Sequence, residues 1–184
     1  EFIYGTTMHF STSSSYLMPP SKNPEVLCTS ALFSSQMPIK ISMYFRVGGY
    51  VNKLKYFAAD WDFWLTVYEK NIEGAETGKI LYHRRNHDNN VIARNMSKWP
   101  EVISIIIDRH PIFFYNDKRK KKALYSVNEK LARHYRIKRR RKKAASYAKI
   151  ALKNGPITTA LKEILKEEKM SKIRYAIRLV GKLL

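Results

Sequence analysis

Of the 35 Lys and Arg residues in this 184-residue chain, 23 lie from Asp117 onward, where only 5 acids accompany them; the first 116 residues carry 12 against 10. That step constrains the fold more than any single motif. A stretch holding net +18 must fold with its charge on the outside, while the nearly neutral part before it is free to build a mixed core. The chain therefore divides into a body, residues 1–116, and a basic tail, residues 117–184. With 45% hydrophobic and 12% aromatic residues, the chain has enough apolar material for one real core, which excludes wholesale disorder and collagen-like structure. A lone Cys28 forms no internal disulfide and no cysteine-rich metal site, so the chain reads as cytosolic by default. The most apolar run, Val102 to Ile107, is interrupted by Ser104 and falls far short of the roughly 20 residues that span a bilayer. No basic and apolar leader opens the sequence. Phe2-Ile3-Tyr4 running straight into Gly5 predicts a chain that starts inside a domain.

Along the body, Phe2 to Tyr4 predicts a short strand. The Ser/Thr-rich stretch from Thr6 and the prolines up to Pro24 predict a long loop. Pro24 to Phe33 predicts a short helix with Val26, Leu27, Ala31 and Leu32 near one face. Pro38 to Arg46 alternates and is β-branched or aromatic at most positions, which predicts a strand ended by Gly48-Gly49. Asp60 or Ala59 opens the clearest helix, with Trp61, Trp64, Leu65 and Tyr68 at i, i+3, i+4 and i+7. Lys79 to Tyr82 predicts a short strand leading into His83, Arg84, Arg85, His87 and Asn90. Val91 to Tyr115 predicts a helix broken near Pro100, with Val102, Ile105 and Ile106 inside it.

In the tail, Leu124, Val127, Leu131 and Tyr135 keep near-helical spacing, and Tyr147, Ile150 and Ala151 continue it past the basic run Lys138 to Lys143. Asn154-Gly155-Pro156 breaks the helix. A second helix follows, with Leu161, Ile164, Leu165, Ile173, Ile177 and Val180 as apolar positions.

Taken alone, Asp60 and Asp62 do not make an acid–base pair, because i and i+2 on a helix point to different sides. The bland reading has Asp60 capping the helix and Asp62 in the positive end of its dipole. His83 and His87 lie on an extended stretch, which disfavours a two-histidine metal site. Arg84, Arg85 and His87 suit phosphate oxygens, with a solvated loop as the structural alternative.

Order adds what spacing alone does not. A strand, then Gly48-Gly49-Tyr50, then Ala59-Asp60-Trp61-Asp62-Phe63-Trp64-Leu65 on a helix, then a short strand and Arg85, His87 and Asn90, resembles the second half of family 2 glycosyltransferases of the GT-A fold. In that family a Gly-Gly-aromatic turn precedes a Glu-Asp motif, and a Tyr-Arg-x-His-x-x-Asn pattern follows. Ala59 stands where the Glu is frequent, and Arg84 where the Tyr is. The resemblance covers about residues 2 to 95.

It implies an α/β chain: a partial GT-A fold lacking its amino-terminal nucleotide-binding half, followed by an α-helical extension. It further implies inverting sugar transfer from a nucleotide-diphosphate donor to a hydroxyl of a glycan or lipid-linked acceptor, with Asp60 as general base. His87, Arg85 and Arg84 would meet the diphosphate, His87 also a divalent metal, Mg or Mn, acting as Lewis acid. Trp61, Asp62, Trp64 and Asn90 are weaker candidates for acceptor or sugar contact, with both tryptophans also fitting the core. The family's Asp-x-Asp metal motif has no counterpart here besides Asp60-Trp61-Asp62, so the chain is expected to be a fragment, inactive alone.

For the tail the expected partner is an anionic membrane surface, placing the protein in the cytoplasm, peripheral on the inner face of the membrane. Packing on protein comes next and nucleic acid, for which no motif is present, last. The competing reading of the whole chain is a non-catalytic basic helical module that binds anionic membrane or nucleic acid.

Overall fold

A computed structural model describes residues 1–21, 23–54, 57–85 and 94–180, with side chains as far as 174. The chain is mixed α/β, with one three-stranded sheet and, among the described residues, six α-helices. It forms two compact units, Glu1–Lys120 and Lys121–Leu184.

In the first unit the central strand is β1 (Phe2–Phe10), antiparallel to β2 (Ser15–Met18) and parallel to β3 (Gly74–Arg85). The expected loop from Thr6 to Pro24 is therefore in part a hairpin. Threonine is β-branched and suits a pleat, and as the middle strand β1 buries Phe2, Tyr4, Thr7 and His9. Ser11 closes the turn, its N–H donating to the Ser14 carbonyl at 2.8 Å. β3 is also longer than Lys79 to Tyr82, and its register against β1 shifts between Tyr4 and Thr7. Gly5 permits this irregularity, since a Cβ there would run into the Lys79 carbonyl.

The expected strand Pro38 to Arg46 is mostly helix. One bridge, Ile39 opposite Phe2, precedes α1 (Ile41–Val47). Burial explains the difference: Met43 and Val47, four apart, are buried, whereas Ile41 and Phe45, which made the alternation look strand-like, are 69% and 71% exposed. Pro24–Cys28 is a single 3₁₀ segment rather than a longer helix, with the Asn23 side chain accepting the Glu25 N–H at 2.9 Å. Helix α2 (Ala59–Glu69) follows the predicted stripe and adds Phe63 and Val67 to its buried set. Helix α3 (Trp99–Arg109) starts around Pro100 instead of breaking there, because proline is tolerated in the first turn, where its missing N–H has no partner to lose. Val102, Ile103 and Ile106 are its fully buried positions.

The second unit contains most of α4 (Asp117–Ile137), then α5 (Arg141–Leu152) and α6 (Thr159–Val180). Val127, Leu131 and Tyr135 are buried as predicted, and Leu161 and Ile164 with them; Ile150 and Ile173 are not, and α5 is buried instead through Ala144, Ala145, Ala148 and Ala151. Tyr135 stacks on Tyr147 at 5.5 Å, and Arg136 of α4 reaches Glu163 and Glu167 of α6 at 2.8 and 2.7 Å.

The expected continuous helix through the basic run is absent. α4 closes at Arg139, whose φ is 56°, with the Arg139 N–H on Arg136 O and the Arg140 N–H on Tyr135 O, both at 2.9 Å. α1 ends in the same bonding pattern with Gly48 at φ 89°. Left-handed backbone favours glycine because a Cβ crowds the neighbouring carbonyl. Arg139→Gly is accordingly expected to stabilise the protein by about 0.5–1 kcal/mol, after the greater unfolded-state freedom of glycine is counted. Urea titration of the two proteins measures the difference, and a less stable variant would contradict it.

Candidate functional site

The site is built from a turn, a helix start and a strand end. Two consecutive left-handed glycines, Gly48 and Gly49, turn the chain after α1. A side chain at Gly49 would begin 2.8 Å from the Tyr44 ring, so only glycine lets the backbone pass this close. The Tyr44 hydroxyl accepts the Tyr50 N–H at 3.2 Å, fixing the residue after the turn. Tyr50 then packs its ring against Phe63 of α2, centroids 5.3 Å apart.

α2 begins at Ala58, which holds φ 66° and offers no side-chain cap. Asp60 is therefore inside the first turn, where one carboxylate oxygen accepts the Trp61 N–H at 2.9 Å. Burial pushes the Asp60 carboxyl above its ordinary value; backbone N–H groups and the charge of Arg84 pull the other way without cancelling it. The Tyr50 hydroxyl is raised by burial and then by the negative charge of Asp60. Asp60 is thus coupled electrostatically to Tyr50 and to Arg84, which lies near the carboxyl end of β3. Arg85, the next residue on an extended strand, belongs to the opposite face. Beside them in the sheet register, His9 pairs with Arg84, is buried, and stacks on Tyr16 at 4.9 Å. His9 carried no signal in the sequence, because its stretch reads as loop.

Of the remaining sequence candidates, His87 and Asn90 lie outside the described residues. Trp61 and Trp64 are core, each 2% exposed. The Trp61 indole N–H donates to the Leu27 carbonyl at 2.7 Å, and Trp64 packs among Phe2, Phe33 and Phe63 at ring distances of 5.0 to 5.2 Å. Neither presents a face to a sugar. Asp62 is likewise withdrawn from any solute, being 1% exposed.

Asp62 has a different task. Its Oδ1 accepts from Arg109 Nε at 2.8 Å and faces His110 Nε2 at 3.0 Å. The other ring nitrogen of His110 faces Glu69 Oε2 at 2.9 Å, and Glu69 Oε1 accepts the Phe113 N–H at 2.8 Å. This network ties both ends of α2 to the carboxyl end of α3 and so fixes the helix that presents Asp60. Arg109, His110 and Glu69 were not legible as site-supporting residues, since they are polar positions more than 40 residues apart in part.

Among the described residues no group of three or more His, Cys, Asp or Glu side chains is placed to hold a metal ion. No described helix is long and apolar enough to cross a membrane. No protein-family model, curated protein or solved structure matches the chain.

Proposed function

We propose that the chain is the acceptor-side part of an inverting glycosyltransferase of the family 2, GT-A type, acting in glycan or polysaccharide synthesis. One observation carries the reading: the Asp60 carboxyl feels the charge of Arg84, near the carboxyl end of a parallel strand, and in turn acts on Tyr50, the residue after the Gly48-Gly49 turn, and open α/β sheets take ligands at such strand ends. In this reading Asp60 removes the proton of an acceptor hydroxyl. The oxygen attacks the anomeric carbon while the bond to the diphosphate breaks on the far face, so configuration inverts and a nucleoside diphosphate leaves. Arg84 supplies positive charge as negative charge develops on that leaving group.

Asp60 suits the base role because it is partly buried, not sealed, and because its raised carboxyl holds a proton more strongly than a free aspartate. Among the described residues no group of three or more His, Cys, Asp or Glu side chains would hold the donor's divalent metal. The test is release of nucleoside diphosphate from a panel of nucleotide sugars by the full-length gene product, wild type against Asp60→Asn. Turnover in the wild type with full retention in the variant would remove Asp60 from the chemistry.

A further inference from the structure

The basic run Lys138 to Lys143 does not line a helix side. Because α4 closes at Arg139 and α5 restarts at Arg141, six consecutive cations are gathered on one interhelical corner, and all six are exposed. The carboxylates of this unit are taken up away from the corner: Glu129 pairs with Arg133, Glu163 and Glu167 with Arg136, and Glu168 with Lys172. Among the described residues, no carboxylate lies within ion-pair distance of any of the six. Glu168 feels Lys142 only as a distant charge, and Lys143 lies 5.5 Å from the Tyr135 ring centre. The start of α5 has no side-chain cap, so its positive dipole end adds to the same corner. At its tip the chain keeps an arginine, Arg139, in the backbone conformation that glycine adopts at less cost. Immediately before the run stands Ile137, 82% exposed.

We infer that this corner is a docking surface for an anionic lipid bilayer, with Lys138 to Lys143 on the headgroup phosphates and Ile137 entering the acyl boundary. The helices do not lie on the bilayer by their apolar faces, because Val127, Leu131, Ala148 and Leu161 on those faces are already buried. Contact is made end-on. Charge complementarity alone fits any polyphosphate, but Ile137 decides for lipid: an aliphatic tip gains by leaving water for hydrocarbon and gains little against a sugar-phosphate backbone. Nor does the corner offer a free aromatic on which bases could stack, since Tyr135 is buried and stacked on Tyr147.

The experiment is flotation of the 184-residue chain with phosphatidylcholine vesicles, with and without phosphatidylglycerol. Each Lys or Arg near an anionic surface is worth about fivefold in affinity. Arg139→Gly is expected to bind about fivefold more weakly although it is more stable, so its loss cannot be ascribed to misfolding. Adding Arg140→Gln and Lys142→Gln brings the loss to about a hundredfold. Ile137→Ser weakens binding by an amount that added salt does not erase, unlike the charge variants. Burial, and then Lys138 and Arg140, hold His134 below its ordinary value, so headgroups that neutralise the corner raise its titration in an NMR measurement. Lys153→Gln with Lys162→Gln, just past the end of α5 and in the first turn of α6, leaves binding within a few-fold. The inference is overturned if the wild type does not prefer anionic vesicles, if those distal variants lose as much as the corner variants, or if the chain binds duplex RNA and ignores vesicles. None of these readouts depends on sugar transfer.

Discussion

Asp62→Ala is expected to destabilise the protein by about 3–5 kcal/mol, the cost of removing one partner from a buried ion pair and leaving the other uncompensated. The carboxylate is 1% exposed, and the ring of His110 beside it is 2% exposed, so water cannot replace what is lost. Asp62 and Glu69 flank the two ring nitrogens at 3.0 and 2.9 Å. A neutral imidazole donates from one nitrogen only, so both contacts are hydrogen bonds only with an imidazolium or with one protonated carboxyl. Removing Asp62 strips one side of that arrangement and leaves Arg109 without its carboxylate.

The pH dependence distinguishes this from a simple cavity. Burial pushes the Asp62 carboxyl up, but hydrogen bonds and charge from His110 and Arg109 outweigh it, and the group sits below its ordinary value. A depressed carboxyl stabilises the fold fully above the unfolded value of 3.8 and loses that contribution as pH falls through the folded one. The gap between wild type and Asp62→Asn in urea melts is therefore widest near neutrality and closes in acid. Equal stability of the two at neutral pH would show the network to be energetically idle.

The same pair of aspartates shows how far sequence alone reached. The stripe Trp61, Trp64, Leu65 and Tyr68 placed α2 correctly, because apolar period reports which face is buried. It is blind to a buried charge, whose partners, Arg109 and His110, come from another helix end 47 and 48 residues on. Reading Asp62 as a dipole partner used only its own helix. Ile41 to Val47 failed for a related reason: a short apolar run satisfies period 2 and period 3.6 alike, and only the exposure of Phe45 and burial of Met43 separate them. In the tail, composition located the charge but not the corner at Arg139, because nothing in Lys138 to Lys143 signals a left-handed residue where glycine is usual. The turn, by contrast, was legible from Gly48-Gly49, whose close approach to Tyr44 admits no other residue at Gly49.

Asp60→Asn is expected to lower transfer by about 10²–10⁴-fold in the full-length protein, the usual worth of a positioned base. Donor affinity stays near that of the wild type, since in this mechanism Asp60 touches the acceptor hydroxyl and not the nucleotide. The stability consequence has the opposite sign to that at Asp62. A carboxyl raised in the folded state favours folding most when protonated, so its contribution is present below the unfolded value of 3.8 and is lost as pH rises through the folded one. At neutral pH the ionised group is thus mildly unfavourable to the fold, and the asparagine variant melts no earlier than the wild type. Activity runs the other way along the pH axis: the wild-type rate climbs through the raised Asp60 value as the base ionises, and the residual rate of the variant lacks that limb. Arg84→Gln removes a charge that opposes the rise, so the acid limb shifts to higher pH while the base itself remains. A variant pair that lost turnover together with the fold, or an acid limb unmoved by Arg84→Gln, would separate Asp60 from the role assigned to it. Normal turnover and stability at Asp60→Asn would leave the carboxylate only its hydrogen bond to the Trp61 amide.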